Sequence, residues 1–391
     1  MEKCFILFCL IYGNKLSSAV QIHNLEESSK SYMMSSEAQE YCRNKHGNIS
    51  CWIGPEILSL QGEYYKAIKS KANADNLIIL AFVDFSFVEL AINLYEFSFR
   101  RLNIKNFLFV CSDEKCFKLL NRRGINCFLY KHDTNFAKPS DYGTAEFSIK
   151  VRIKMEIVTA AVMLGFIVFQ TDVDVVFLKD PIPKLTSDVD LLIQDDIHEL
   201  NSGFFVLRPT YSGVMLAQRA LENIVLGGMR NQIAVNKAVI KMVKGNSLSM
   251  RILDRQQFPC GKVYFEWGKK MFSGDGNSDN DAYIVHKNWI YTKAAKIYRF
   301  KETGLWAYDE KQYYSSKSNK YLVYNNDIIQ HTPNLNSRGH LIKRSMFNER
   351  AYLITAMTLG KLLDRIVVFP KFQCPGYTKE TNQCSFNTFS M

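Results

Sequence analysis

Asp172 and Asp174 sit one residue apart inside Phe166-Ile-Val-Phe-Gln-Thr-Asp-Val-Asp-Val-Val-Phe-Leu178. The apolar run Phe166 to Phe169 reads as a strand buried on both faces, as in a parallel sheet with helices on either side. Continued strand alternation puts Asp172 and Asp174 on one side and Val173 on the other. Their Cα atoms then stand about 6.6 Å apart, close enough for both carboxylates to meet one ion. Two like charges at that spacing are costly to bury without a cation between them. A hard divalent metal with oxygen ligands answers that need, Mn²⁺ or Mg²⁺. A pair of solvated turn aspartates is the plain alternative, and the apolar runs on both sides argue against it.

Two further side chains could join this chemistry. Phe147 to Leu164 reads as a long helix feeding the Asp-x-Asp strand through Gly165. One stripe of it is Phe147, Val151, Lys154, Val158 and Val162, so Lys154 interrupts an apolar face. Such a lysine either snorkels to solvent or meets an anion, and a diphosphate is one candidate. His286 lies in the short strand Tyr283-Ile-Val-His-Lys-Asn-Trp289. A histidine by itself is more often structural than a ligand.

The elements that must position these residues alternate. Leu77 to Phe85 is a strand, Val88 to Leu102 a helix and Phe107 to Cys111 a second strand. Cys116 to Arg123 is a short helix and Asn126 to Tyr130 a third strand. That rhythm predicts βαβ units and a mostly parallel sheet, the α/β class. Val189 to Ile193 is another strand, ending in Gln194-Asp195-Asp196, and Asn201-Ser-Gly-Phe-Phe-Val-Leu207 a turn into an apolar strand. Tyr211 to Leu226 and Gln232 to Lys244 are helices, and Met250 to Leu253 a short strand. Residues 272–281, rich in Gly, Asn, Ser and Asp, form a solvated loop. A helix marked by Phe347, Ala351, Ile354 and Leu362 runs into the strand Arg365-Ile-Val-Val-Phe-Pro370. No Gly-x-Gly-x-x-Gly follows the first strands, so a dinucleotide fingerprint is absent.

The chain has 391 residues, 47% hydrophobic and 13% aromatic, so it is globular. Its net charge of +11 is spread over isolated pairs such as Arg100-Arg101 and Lys269-Lys270. That argues against nucleic-acid binding and suits an anionic ligand. Lys3, the apolar run Cys4 to Tyr12 and Ser17-Ser18-Ala19 have signal-peptide grammar, with an uncleaved anchor as the alternative. Of ten cysteines, Cys4 and Cys9 fall there, which leaves eight. An even count in a secretory chain favours disulfides, with Cys42–Cys51 and Cys374–Cys384 expected as local loops. The sequon Asn48-Ile49-Ser50 would carry a glycan in the lumen.

Several pieces together resemble the nucleotide-diphospho-sugar transferases of glycosyltransferase family 77, which have the GT-A fold. They are Lys154 eleven residues before Gly165, the run from Gly165 to Pro181, and Asn201-Ser-Gly-Phe-Phe205. Asn231-Gln232 with Asn236, His286-Lys-Asn-Trp289 and Gly304-Leu-Trp306 complete the set. The segment from Arg350 to Cys374 resembles the tail of plant arabinosyltransferase-like relatives. The resemblance spans roughly residues 75–375. It implies a GT-A catalytic domain over 75–310 and a packed C-terminal extension over 311–391, while the signal segment or short anchor over 1–19 and the Ser-rich, cysteine-pinned stem over 20–74 are read from composition.

The same resemblance implies roles. Asp172, Asp174 and His286 would hold Mn²⁺, with Mg²⁺ second because imidazole suits it less. Lys154, Thr171, Asp172, Val173, Asn201 and Asn288 would line the donor site, and Phe82, Val83 and Asp84 its nucleobase end. Gln194, Asp195 and Gln232 would face the reacting sugar. The implied activity is metal-dependent transfer, with retention, from a UDP-linked pentose or galactose to a glycan or glycoprotein hydroxyl in the Golgi lumen. Two positions depart from the family pattern: Asn231 where an aspartate is frequent, and Lys287 where a smaller residue is common. Two rival readings are a haloacid-dehalogenase-like phosphatase with Asp172 as nucleophile, and a non-catalytic binder of nucleotide sugars or glycans.

Overall fold

A computed structural model describes residues 59, 61–131, 145–267, 281–290, 292–309, 316–324 and 338–368. The expected signal segment, most of the stem, the sequon and the cysteine pairs Cys42–Cys51 and Cys374–Cys384 lie outside these residues, as does nearly all of the expected 272–281 loop.

Seven strands form the main sheet: β1 (Leu77–Val83), β2 (Phe107–Cys111), β3 (Cys127–Leu129), β4 (Ile167–Thr171), β6 (Leu191–Asp195), β7 (Leu200–Leu207) and β8 (Met250–Ile252), in the order β3-β2-β1-β4-β7-β6-β8. Only β7 runs against its neighbours, so the sheet is mostly parallel, as expected. A separate antiparallel pair, β5 (Val175–Phe177) with β9 (Ile284–His286), continues from the end of β4.

Strand alternation divides the core in two. Ile78 and Leu80 of β1 point to one face, covered by helices α1 (Glu63–Lys69), α4 (Ala145–Met163), α5 (Tyr211–Val225) and α6 (Asn231–Lys244). Leu77, Ile79 and Ala81 point to the other. That face packs on α2 (Val88–Asn93), its continuation Leu94–Arg100, α3 (Glu114–Arg122) and α7 (Lys293–Glu302). The helix expected from Val88 onward is present, but its second half winds as a π-helix. Helix α7 is an addition to the sequence reading, begun by the Thr292 side chain accepting from Ala295 N–H.

Near the end of the chain, β10 (Tyr321–Val323), α8 (Arg338–Leu362) and β11 (Ile366–Val368) form a βαβ unit with two parallel strands. It bears out the helix-then-strand reading of the tail. No helix among the described residues is long and apolar enough to cross a membrane.

Candidate functional site

Asp172 and Asp174 do not lie along a strand. β4 stops at Thr171, Val173 and Asp174 form a turn, and β5 begins at Val175. The turn, not strand alternation, brings the carboxylates together. Asp172 N–H donates to Gly203 O on β7 at 2.7 Å, which anchors one side. The β5–β9 ladder anchors the other: Val175 is registered with His286, and Lys287 N–H donates to Asp174 O at 2.9 Å. One ligand atom each from Asp172, Asp174 and His286 then falls within 4.8 Å of the others. Asp174 and His286 are buried, while the Asp172 side chain is 35% exposed.

The imidazole is held from behind. Gln194 is fully buried on β6, where a register shift between Ile193 and Gln194 re-aims the side chain. Its Nε2 donates to Phe258 O and Pro259 O, each at 3.1 Å. Its Oε1 therefore accepts, and at 2.7 Å its donor is His286 Nδ1–H. The proton is thereby assigned to Nδ1, and Nε2 presents its lone pair. That buried Nε2 has no hydrogen-bond partner among the described residues and lies 3.4 Å from Asp174 Oδ1. A lone pair facing a carboxylate oxygen is unfavourable unless a cation lies between them, so the residues fit a metal. Gln194 thus orients the imidazole, with both amide hydrogens and one lone pair of its oxygen engaged. Replacing it with alanine is expected to weaken Mn²⁺ binding about 10–100-fold, read by titration calorimetry.

Two lysines already meet the acidic pair. Lys154 of α4 pairs with Asp172, and Lys296 of α7 pairs with Asp174. Burial works to raise the Asp174 carboxyl, but the Lys296 ammonium beside it outweighs burial and holds it well below the usual carboxylate range. The two lysines also supply the counter-charge that the aspartates need, so the case for a metal rests on the bare His286 Nε2 more than on carboxylate repulsion. Lys296 was not singled out from sequence; the Thr292 cap followed by Lys-Ala-Ala-Lys-Ile297 was the available signal.

At the end of β1, Phe82 and Val83 pack into the two opposite cores. Asp84 caps the short turn Phe85–Phe87, accepting from Phe87 N–H at 3.1 Å, and pairs with Lys150 at 2.7 Å. Lys150 lies one turn before Lys154, so α4 meets both Asp84 and Asp172. Thr171 is fully buried and Val173 belongs to the core.

A second cluster gathers at the end of β6 on Asp196, which the sequence reading named only in passing. Its Oδ1 accepts from Asn288 Nδ2 and Trp289 Nε1, both at 2.7 Å, and its Oδ2 from Gln232 Nε2 at 3.1 Å. Asn288 Oδ1 in turn accepts from Gly261 N–H at 2.8 Å. Asp195 is buried, with both carboxylate oxygens engaged. Its Oδ2 is clamped by Arg255 Nε and Nη2 at 3.0 and 2.5 Å, and its Oδ1 accepts from Ile197 N–H at 2.7 Å. Ile197 has φ of 72°, a strained value for a β-branched residue, so this clamp holds a strained turn beside Asp196. Asn201 and its neighbours belong to β7 itself and not to a turn before it. Asn201 Oδ1 accepts from Gly203 N–H at 2.7 Å. Its Nδ2, and Oδ1 of Asn231 at the start of α6, are buried without partners among the described residues. Lys287 is buried with its ammonium 3.6 Å from the Phe265 ring centroid and 4.6 Å from that of Phe300.

Comparison with known proteins bears on this site. The chain is 22% identical over 264 residues to beta-arabinofuranosyltransferase RAY1 of Arabidopsis thaliana, covering 61% of this chain and 49% of that one. It is 23% identical over 286 residues to UDP-galactose:fucoside alpha-3-galactosyltransferase of Dictyostelium discoideum, covering 59% and 43%. It thus spans about half the length of these relatives. Among solved structures, galactosyltransferase LgtC with donor and acceptor sugar analogues aligns with a TM-score of 0.39 at 13% identity, covering 60% of this chain and 98% of that one. Residues 102–300, which hold Lys154, both aspartates, Asp196 and His286, match the nucleotide-diphospho-sugar transferase family, and the chain belongs to it.

Proposed function

We propose that this protein is a metal-dependent glycosyltransferase. It moves a sugar, a UDP-linked pentose or galactose, to a glycan or glycoprotein hydroxyl with retention of configuration, in the secretory pathway. The observation that carries the reading is the buried, unpartnered His286 Nε2 aimed at Asp174 and held in that tautomer by Gln194. Mn²⁺ held by Asp172, Asp174 and His286 would supply Lewis-acid charge against the donor diphosphate. Family membership sets the phosphatase reading aside.

The chain's own groups support the rest. Cleaving the anomeric C–O bond leaves negative charge on the diphosphate, and the ammonium groups of Lys154 and Lys296 stand at the carboxylates where it would bind. Both would turn from aspartate to phosphate as donor enters. Gln232 donates to Asp196 and also hydrogen-bonds Glu199, which leaves its amide oxygen for the electron-poor face of the sugar. The orphaned Asn201 Nδ2 and Asn231 Oδ1 suit sugar hydroxyls. The acceptor proton passes to the departing phosphate oxygen, so no separate base is required.

The test is a panel of nucleotide sugars incubated with the protein and Mn²⁺. Release of nucleoside diphosphate from a UDP-pentose or UDP-galactose, abolished by chelation, is the expected result. Uridine diphosphate binding without turnover across the panel would instead support the non-catalytic binder. No Mn²⁺ uptake with or without nucleotide would remove the metal assignment.

A further inference from the structure

Three cysteines meet where β2 ends. Cys111 closes β2, Cys116 lies in the first turn of α3 and Cys127 opens β3. Cys116 Sγ donates to Cys111 Sγ at 3.3 Å, closer than two sulfurs in ordinary contact, and both residues are fully buried. Cys127 is registered with Phe109, two residues before Cys111, so strand alternation puts Cys127 and Cys111 on one face as diagonal neighbours. The Cys127 thiol donates to Phe117 O at 3.8 Å, its sulfur accepts from Cys111, and the residue is half-buried, so it alone of the three meets solvent.

We propose that Cys111 and Cys116 are a disulfide site, and that Cys127 is the thiol through which oxidation enters. The oxidant is a disulfide, from a small molecule or from a dithiol oxidoreductase. The Cys127 thiolate attacks it, forming a mixed disulfide and releasing one thiol. Cys111 displaces the second thiol, which gives a Cys111–Cys127 bond. Cys116 then attacks Cys111, leaving Cys111–Cys116 joined and the Cys127 thiol restored. Two thiols have lost two protons and two electrons, and the oxidant has become two thiols. Hydrogen bonding to Cys111 lowers the Cys127 thiol against the effect of its burial, which suits the entry step.

The bond has a mechanical consequence. It closes a loop over residues 112–115 that contains Asp113. The Asp113 carboxylate caps α3 through Cys116 N–H at 2.9 Å and accepts from Phe85 N–H at 2.8 Å. Pinning Asp113 therefore steadies the Phe85–Phe87 turn that follows Asp84.

The full chain is incubated with oxidised glutathione, unfolded, alkylated and digested with trypsin. Lys115 lies between the two cysteines, so cleavage leaves their peptides joined only by the disulfide. The expected product is the Cys111–Cys116 peptide pair with Cys127 alkylated, and slower hydrogen exchange at the amides of Phe85 to Phe87. In Cys127→Ser the same link forms on the order of tenfold more slowly. In Cys116→Ser the bond stops at Cys111–Cys127. Alkylation of both Cys111 and Cys116 after oxidation, or Cys111–Cys127 as the stable wild-type product, overturns the site. An unchanged rate in Cys127→Ser overturns its entry role.

Discussion

Asp174→Asn is expected to lower metal-dependent release of nucleoside diphosphate about 10³-fold, with the fold intact. Three features make this the largest single loss. Asp174 is almost fully buried, so water cannot substitute for the missing charge. It faces His286 Nε2 through Oδ1 and Lys296 through Oδ2. Asparagine keeps the shape but offers one neutral oxygen, and its amide N–H either donates to the imidazole lone pair and so occupies the metal's ligand, or opposes the Lys296 ammonium. Mn²⁺ affinity falls in parallel, by calorimetry, and circular dichroism stays that of the wild type. Equal turnover in both proteins would show that the acidic pair serves only Lys154 and Lys296, and the metal assignment would fail.

Gly203→Ala is the second large effect, and it acts without removing a charged group. A Cβ built on Gly203 falls 2.3 Å from Asp172 Oδ2 and 2.9 Å from Asn201 Oδ1. Neither separation can be tolerated. Gly203 O accepts from Asp172 N–H, so the strand cannot retreat without breaking that bond. The Asp172 side chain is the movable partner, being partly exposed, and it must swing away from Asp174 and His286. A displacement of about 1 Å at a reacting centre costs on the order of 10²-fold in rate. Stability falls by about 1–3 kcal/mol, the range for an overpacked methyl. The check is turnover against Mn²⁺ concentration, alongside urea unfolding. Wild-type turnover and metal dependence would mean that Asp172 is not a ligand.

Most of the sheet was legible in the residues because its signals are local. Apolar runs, their alternation with helical stripes and the glycine after Met163-Leu164 located β1, β2, β4 and α4 to within a few residues. The spacing of Asp172 and Asp174 marked the site, although the mechanism of their convergence was misread: the run that looked like one strand breaks at Thr171 and resumes at Val175. Val173 is buried among apolar residues in either geometry, so its hydrophobicity could not tell a turn from a strand.

What the sequence by itself determined is where apolar and acidic residues change over, since burial and charge separate along the chain at short range. Everything that makes the acidic pair a site was decided by tertiary contact. Gln194 meets His286 across 92 residues and Lys296 meets Asp174 across 122. The β5–β9 ladder alone sets which residue of Tyr283 to Trp289 stands opposite the turn. A glutamine at a strand end reads the same whether it faces a sugar or an imidazole. Only the packing of Phe258 and Pro259 carbonyls around its amide tells which, because those bonds fix the direction of the side chain.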